Sequence, residues 1–364
     1  EIHERLVGSE MCIRDRAMTM YQFSGDLEYL NGIGAVPQGI GNEDLGWERE
    51  LSYNLGTDIS LFDRRLNFTF DIYLKKTTDL VLDASRAPST GTTSAKENIG
   101  EMENKGLEFQ VDGMLVQRND FYWQVAATGS MNRNRILKIN SALKKANEDA
   151  NKVDSKTPLA QYEEGESTTA LKVVKSAGID PATGQEVFIK LNGERTFEYS
   201  ADDKFVIGDT EPRFRGTVST NLFYKGFSLY LLGRYECGAY LYNETRATKV
   251  EGANPKKNAD KRVFDSRWKN PGDIAFYKDI ADSDGWGTNP KHSDRFVEKE
   301  NVFTLGTVNF GYEFGQNICS KIGVRNLRVG VNLTDIVRWS NVKIERGTTY
   351  LYSNGFEFTL STTF

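Results

Sequence analysis

Histidine and cysteine are scarce in this sequence, and long apolar runs are missing from it. The two histidines, His3 and His292, lie far apart in polar surroundings and read as surface residues rather than as a metal pair or part of a triad. The three cysteines, Cys12, Cys237 and Cys319, are odd in number and widely spaced, which excludes a disulfide framework and a zinc site. No stretch approaches the roughly 20 apolar residues that a membrane helix needs. That excludes helical membrane proteins only, because the alternating strands of a barrel average out as polar, and the mean hydropathy is −0.52. A net charge of −5 gives no electrostatic reason for a nucleic-acid partner. The sequence contains no G-x-S-x-G, H-E-x-x-H or P-loop, so no enzyme activity, cofactor or metal is expected.

What is present is a period of two. Leu51, Tyr53, Leu55, Ile59 and Leu61 alternate with Ser52, Asn54, Asp58 and Ser60. Leu66, Phe68, Phe70, Ile72 and Leu74 alternate with Asn67, Thr69, Asp71 and Lys75. Six more segments repeat the pattern, around Leu107–Leu115, Phe121–Met131, Phe227–Tyr235, Val308–Phe314, Leu327–Leu333 and Phe356–Phe364. Two weaker strands are expected, over 17–24 and Phe214–Tyr224, making about ten. Successive side chains of a strand point to opposite faces, so each apolar row has one face to hide. The runs are longer than the usual five or six residues of a soluble strand and match the roughly 9–11 of a tilted strand crossing a bilayer.

The connections alternate in length. Asp63-Arg64, Arg118-Asn119, Lys225-Gly226 and the slightly longer 315–323 are short, whereas 75–105, 133–212, 238–299 and 337–353 are long and polar. Short periplasmic turns and long extracellular loops distinguish outer-membrane barrels. Counting back from a last strand that ends in the periplasm puts every short turn on that side. The expected fold is therefore all-β, a transmembrane antiparallel β-barrel of the outer-membrane kind, present as a C-terminal fragment. Residues 1–16 (EIHERLVGSEMCIRDR) show neither period and read as a non-native or disordered N-terminal segment. Residues 17–364 read as the barrel portion. The final strand, with Phe356, Phe358, Leu360 and Phe364, reads as a barrel assembly signal.

Several blocks carry a family likeness. They are Asn42-Glu43-Asp44-Leu45-Gly46-Trp47-Glu48, Asn98-Ile99-Gly100-Glu101-Met102-Glu103-Asn104-Lys105-Gly106 and Ala177-Gly178-Ile179-Asp180-Pro181-Ala182-Thr183-Gly184. To these add the Gly208 to Phe214 segment followed by Tyr224-Lys225-Gly226-Phe227, then Asn332-Leu333 and the Glu345-Arg346-Gly347-Thr348 loop. In order and placement they resemble the SusC/RagA family of TonB-linked outer-membrane proteins; Glu43 stands where that family usually has Pro. The resemblance implies TonB-dependent import of large nutrients, oligosaccharide or peptide. It also implies a SusD-type surface lipoprotein partner, and a TonB complex reached through an N-terminal plug region upstream of these residues. Outer-membrane lipid is the remaining expected partner.

Loop aromatics are the candidate ligand or partner contacts: Tyr240, Tyr242, Trp268, Tyr277 and Trp286. Such rings either stack on sugars or pack loops together. The acidic run Glu163-Glu164-Gly165-Glu166 reads as a solvated loop, and Asp279, Asp282, Asp284 and Gly285 echo a calcium loop only faintly. Two other functions compete with active import: a passive porin-like channel, and a soluble extracellular β-sandwich adhesin or carbohydrate-binding module.

Overall fold

The computed structural model describes residues 18–29, 32–39, 41–85, 94–98, 100–153, 155–254, 256, 258–280, 291–344 and 353–363. The segment 1–16, Phe364, Trp286 and the 345–348 loop lie outside the described residues. Among the described residues no helix is long and apolar enough to cross a membrane.

The described residues form seventeen strands in order: β1 (Met20–Tyr29), β2 (Gly32–Gly39), β3 (Arg49–Leu61), β4 (Leu66–Thr78), β5 (Val81–Ser85), β6 (Ser94–Asn98), β7 (Glu101–Arg118), β8 (Phe121–Lys138), β9 (Ala170–Ile179), β10 (Glu186–Ile189), β11 (Arg195–Thr196), β12 (Lys204–Asp209), β13 (Phe214–Tyr224), β14 (Phe227–Tyr242), β15 (Val297–Glu313), β16 (Asn326–Ser340) and β17 (Gly355–Thr363). Nine of them form one antiparallel meander in the order β17-β16-β15-β14-β13-β8-β7-β4-β3. Helix α1 (Ser141–Lys152) and the four-stranded sheet β11-β10-β9-β12 fall between β8 and β13.

The weakly patterned Phe214–Tyr224 is a full member of the large sheet, paired along its length with β14. The segment expected over 17–24 forms β1 instead, which pairs with β2 in a separate two-stranded sheet. The meander therefore has nine strands, with the tenth outside it.

Register decides which side chains share a face. One row reads straight across as Leu61, Leu66, Gly113, Val125, Thr220, Leu231, Val308, Leu333 and Phe356. A second reads Thr57, Phe70, Phe109, Gly129, Gly216, Tyr235, Phe303 and Trp339. The row beside it, on the opposite face, reads Asp58, Thr69, Gln110, Thr128, Thr217, Arg234, Thr304 and Arg338. The alternation of each strand is thus in phase with that of its neighbours. A slip of one residue anywhere would put that strand's apolar row among polar ones.

The apolar face is uncovered. Leu55 is 69% exposed, Phe310 45% and Phe358 60%, so no second sheet packs on them. A soluble sandwich would bury these rows. Aromatic rings border the face at both ends. Near the short turns, Phe121 meets Tyr224 at 5.9 Å and Phe227 meets Tyr312 at 4.4 Å between ring centroids. Toward the long loops, Phe214 meets Tyr235 at 5.2 Å and Phe303 meets Trp339 at 5.7 Å. Ten residue steps separate Phe214 from Tyr224, about 33 Å along a strand and about 25 Å in height at a tilt of about 40°. That is the height of the apolar band of an outer-membrane barrel.

The short connections are 62–65, 119–120, 225–226 and 314–325, all at one end of the sheet. Lys225 and Gly226 have φ of 47° and 90°, the left-handed pair of a two-residue hairpin turn.

Candidate functional site

The polar face is the first part of the site. Its side chains bond across strands: Thr69 donates to Asp58 at 2.7 Å, Asn134 to Asn104 at 2.8 Å, and Tyr73 to Asn132 at 3.2 Å. Arg234 pairs with Asp335 at 3.1 Å, and Arg338 pairs with Glu300 at 2.5 Å. A trough of about 300 Å³ lies among Thr69, Asp71, Glu108, Gln110, Ser130 and Arg215. Such a surface is stable against water and costly against hydrocarbon.

At the other end of the sheet two of the sequence blocks turn out to be halves of one clasp. Gly46 donates to the Asn98 side chain at 2.6 Å, and that amide donates back to the Gly46 carbonyl at 2.9 Å. It also donates to the Asp79 carbonyl at 2.8 Å, while Asn42 reaches the Lys96 carbonyl at 3.0 Å. The lead into β3 is thereby stapled to the β5–β6 hairpin.

Almost all fully buried side chains lie between the large strands rather than on them. Leu171, Val173, Val174 and Phe188 come from the 139–213 connection; Ala247, Val250, Val263, Trp268, Tyr277 and Phe296 come from 243–296. The two long connections, read in the sequence as long and polar, contain a folded body with its own core. The Ala177 to Gly184 block shows how they lock together. Asp180 accepts from the Thr183 hydroxyl at 2.7 Å and the Thr183 amide at 3.2 Å. These bonds, the hydroxyl first, hold its carboxyl below the usual range. Gly184 takes φ 74°, and an added Cβ would come 2.5 Å from the Trp268 ring. The Trp268 indole then donates to the Pro181 carbonyl at 2.9 Å. Gly184→Ala is expected to loosen this clasp by about 1–2 kcal/mol from the left-handed backbone alone. The check is a red shift of Trp268 emission, read against Trp268→Phe.

A buried ion triad ties the same two connections. Arg295 donates to both oxygens of Glu186 at 2.7 Å and to both oxygens of Glu251 at 2.8 Å. All three side chains are at most 6% exposed. Arg267 donates to the Val263 and Val250 carbonyls at 2.6 Å, closing the end of the π-helix Thr245–Glu251. Lys172, also buried, sits 2.6 Å from both Glu163 and Glu166. The acidic run is therefore the counter-charge of a buried lysine as well as a surface loop. Nothing in the sequence marked Arg295, Glu186 or Glu251, whose separations exceed forty residues.

The expected aromatic contacts fall as follows. Trp268 and Tyr277 are buried among loops. Tyr240 is partly exposed with its ring over Gly208, and Tyr242 meets His292 edge-on at 5.6 Å. Trp286, Asp282, Asp284 and Gly285 lie outside the described residues. His292 corrects the surface reading: it is 8% exposed, with Nε2 3.0 Å from the Ser155 carbonyl. Packing of Tyr242 and the 291–293 segment encloses it, which polar sequence neighbours did not reveal.

Beside His292 is a cavity of about 210 Å³, lined by Asn151, Lys152, Ser155, Tyr199, Lys204 and Lys291 among others, with no carboxylate among the described residues of its wall. Burial pushes the Tyr199 hydroxyl up to about 12 and lowers Lys204, whose ammonium donates to Asn151 at 2.8 Å. This polar pocket and the polar sheet face are surfaces open to a hydrophilic ligand. Among the described residues no cluster of His, Cys, Asp and Glu is arranged to hold a metal.

Comparison with known proteins places this geometry. The model of the TonB dependent receptor-like β-barrel family matches residues 17–247. A TonB-dependent receptor of Formosa agariphila is 25% identical over 363 residues, covering 86% of this chain and 34% of that protein. The TonB-dependent receptor SusC of Bacteroides thetaiotaomicron is 33% identical over 100 residues, 27% of this chain. A solved structure of the RagAB peptide transporter superposes with a TM-score of 0.74 at 22% identity, over 90% of this chain and 35% of that one. The chain spans about a third of the length of the full-length curated relatives it matches.

Proposed function

Because this chain belongs to the TonB dependent receptor-like β-barrel family, whose members sit in the bacterial outer membrane, we propose that it supplies lumen wall and extracellular loops to an importer of large nutrients. The cargo is an oligosaccharide or a peptide, the energy comes through a TonB complex, and a SusD-type lipoprotein caps the outer face. The observation that carries this reading is the pairing of an uncovered apolar face with a polar face surmounted by a folded loop body. A general diffusion channel has little use for an ion-locked body above its lumen. A receptor that must hold cargo before moving it does.

The lysine-lined pocket near Lys204 and the partly exposed Tyr240 are the loop positions proposed to meet cargo or lipoprotein, whereas Tyr242 packs on the loop core with its hydroxyl buried. Phe356, Phe358 and Leu360 form the outward row of β17, which keeps them available to the assembly machinery that the last strand is proposed to engage.

Uptake by intact cells tests the reading. Cells carrying the full-length receptor are expected to accumulate labelled oligosaccharide or peptide, and to lose accumulation when a protonophore collapses the inner-membrane gradient. Equal uptake with and without the gradient would establish the passive channel instead. Affinity purification from detergent-extracted outer membranes is expected to bring down a surface lipoprotein.

A further inference from the structure

On three adjacent strands the apolar face ends abruptly, at the paired Leu107 and Met131 on β7 and β8 and one pair further along on β4, where Leu74 stands opposite Lys105. Leu74 on β4, Leu107 on β7 and Met131 on β8 are the last apolar residues before the long loops. The next residues on the same face are Lys76, Lys105 and Arg133, followed on β8 by Arg135. Arg49 on β3 shares the face, opposite Thr78. Two residues separate each apolar end from its cation, about 6.7 Å along the strand and about 5 Å in height. The polar layer of a bilayer is about 5–7 Å thick on each side of the hydrocarbon. The cations therefore stand at headgroup depth.

The register brings like charges together. Lys105 is the direct cross-strand partner of Arg133. Directly opposed like charges destabilise a sheet unless something offsets them. The carboxylates nearby do so only in part. Asp79 takes Arg49 at 2.6 Å and Glu101 takes Lys76 at 3.1 Å. Glu103, opposite Arg135 in the register, approaches Lys105 no closer than 3.8 Å. The side chains of Arg133 and Arg135 are exposed and make no hydrogen bond or ion pair with the described residues, the Arg135 guanidinium lying beside Gly165. Arg133 and Arg135 therefore carry positive charge to which no carboxylate of the described residues is paired.

We propose that Lys105, Arg133 and Arg135, with Lys76 beside them, form a binding site for the phosphate-bearing headgroup of a lipid in the outer leaflet. Arginine forks suit phosphate oxygens in pairs, and a lipid chain below would lie along Leu107 and Met131. The assignment rests on the outer-membrane location and the register, not on what the barrel carries.

The experiment uses the full-length receptor reconstituted in phosphatidylcholine vesicles. These are doped either with phosphorylated lipid A or with the same lipid stripped of its phosphates, and lipid retained on the receptor is measured by native mass spectrometry. The wild type is expected to retain the phosphorylated lipid selectively. Arg133→Gln combined with Arg135→Gln is expected to weaken that retention about 30-fold, the weight of two cations at a membrane surface. Arg118→Gln, on the same face at the periplasmic end, is expected to leave it unchanged. Inorganic phosphate alone is expected not to displace the lipid. Equal retention of the two lipids by the wild type would overturn the site whether or not the double variant inserts. So would an Arg118→Gln effect as large as that of the double variant, or displacement by free phosphate, which would mark a soluble-anion site.

Discussion

Phe70→Arg is expected to destabilise the membrane-inserted fold by about 2–4 kcal/mol, the cost of an arginine facing lipid near the midplane. Phe70 stands in the middle of the β4 apolar row, between Phe68 and Ile72, and pairs with Phe109 on the same face. An arginine there has only Thr57 across the sheet as a polar neighbour on that face, and snorkelling to either interface must span several residues. Thr69→Arg is the depth-matched contrast. Thr69 faces the polar side and bonds Asp58, so an arginine there gains a counter-charge and water. Asn67→Arg, beside Ser60 on the same side, is expected to be similarly mild, at under about 1 kcal/mol. Urea titration of the full-length receptor in lipid, scored by heat-modifiable gel mobility, measures all three. Equal costs would mean that the two faces do not see different solvents, and the assignment of lipid and lumen would be lost.

The second large effect belongs to the loops. Arg295→Met removes the only cation between Glu186 and Glu251 in that triad and leaves two carboxylates buried face to face. Breaking a buried pair by deleting one partner costs about 3–5 kcal/mol. That exceeds what the small core of the loop body can absorb, so the body is expected to open while the sheet stays intact. Hydrogen exchange should therefore rise sharply over Ala170–Ile179 and Thr245–Glu251 and hardly at all over β7 or β15. Adding Glu186→Gln and Glu251→Leu to Arg295→Met should recover much of the protection, because a neutral trio no longer buries unpaired charge. Unchanged exchange in the single variant would show that the triad does not hold the body together. Failure of the triple variant to recover would assign the loss to packing rather than to charge.

These two experiments address different layers of the molecule, and the layers differ in how far they could be read in advance. The sheet was legible because alternation is a local code. Leu66, Phe68, Phe70, Ile72 and Leu74 announce a one-sided strand without reference to any other segment. Phe214–Tyr224 announced it weakly because Gly216 and Thr220 fall in its outward row. The reason appears only in the sheet, where an added Cβ at Gly216 would run into the Thr128 carbonyl and the Tyr235 hydroxyl. The loop body was not legible. Three of its four strands are short, and in β9 Leu171-Lys172-Val173-Val174 is nearly continuous rather than alternating, because these residues are enclosed from several sides. The family blocks were visible as words, but their meaning as a clasp needed Asn98 to be brought to Gly46 across 52 residues.

By itself the sequence determined the class of structure. Alternation, strand length and the segregation of short from long connections follow from side-chain period and bilayer thickness, which act on every strand separately. Register, and everything built on register, was decided in three dimensions. Hydrogen bonding between neighbours set all nine apolar rows on one face, ended those of β7 and β8 at one shared pair, and brought Lys105 against Arg133. Chain collapse then brought Arg295 to two glutamates that no local pattern connects. Local periodicity fixes what a segment can hide. Only its pairing with other segments fixes what stands beside it.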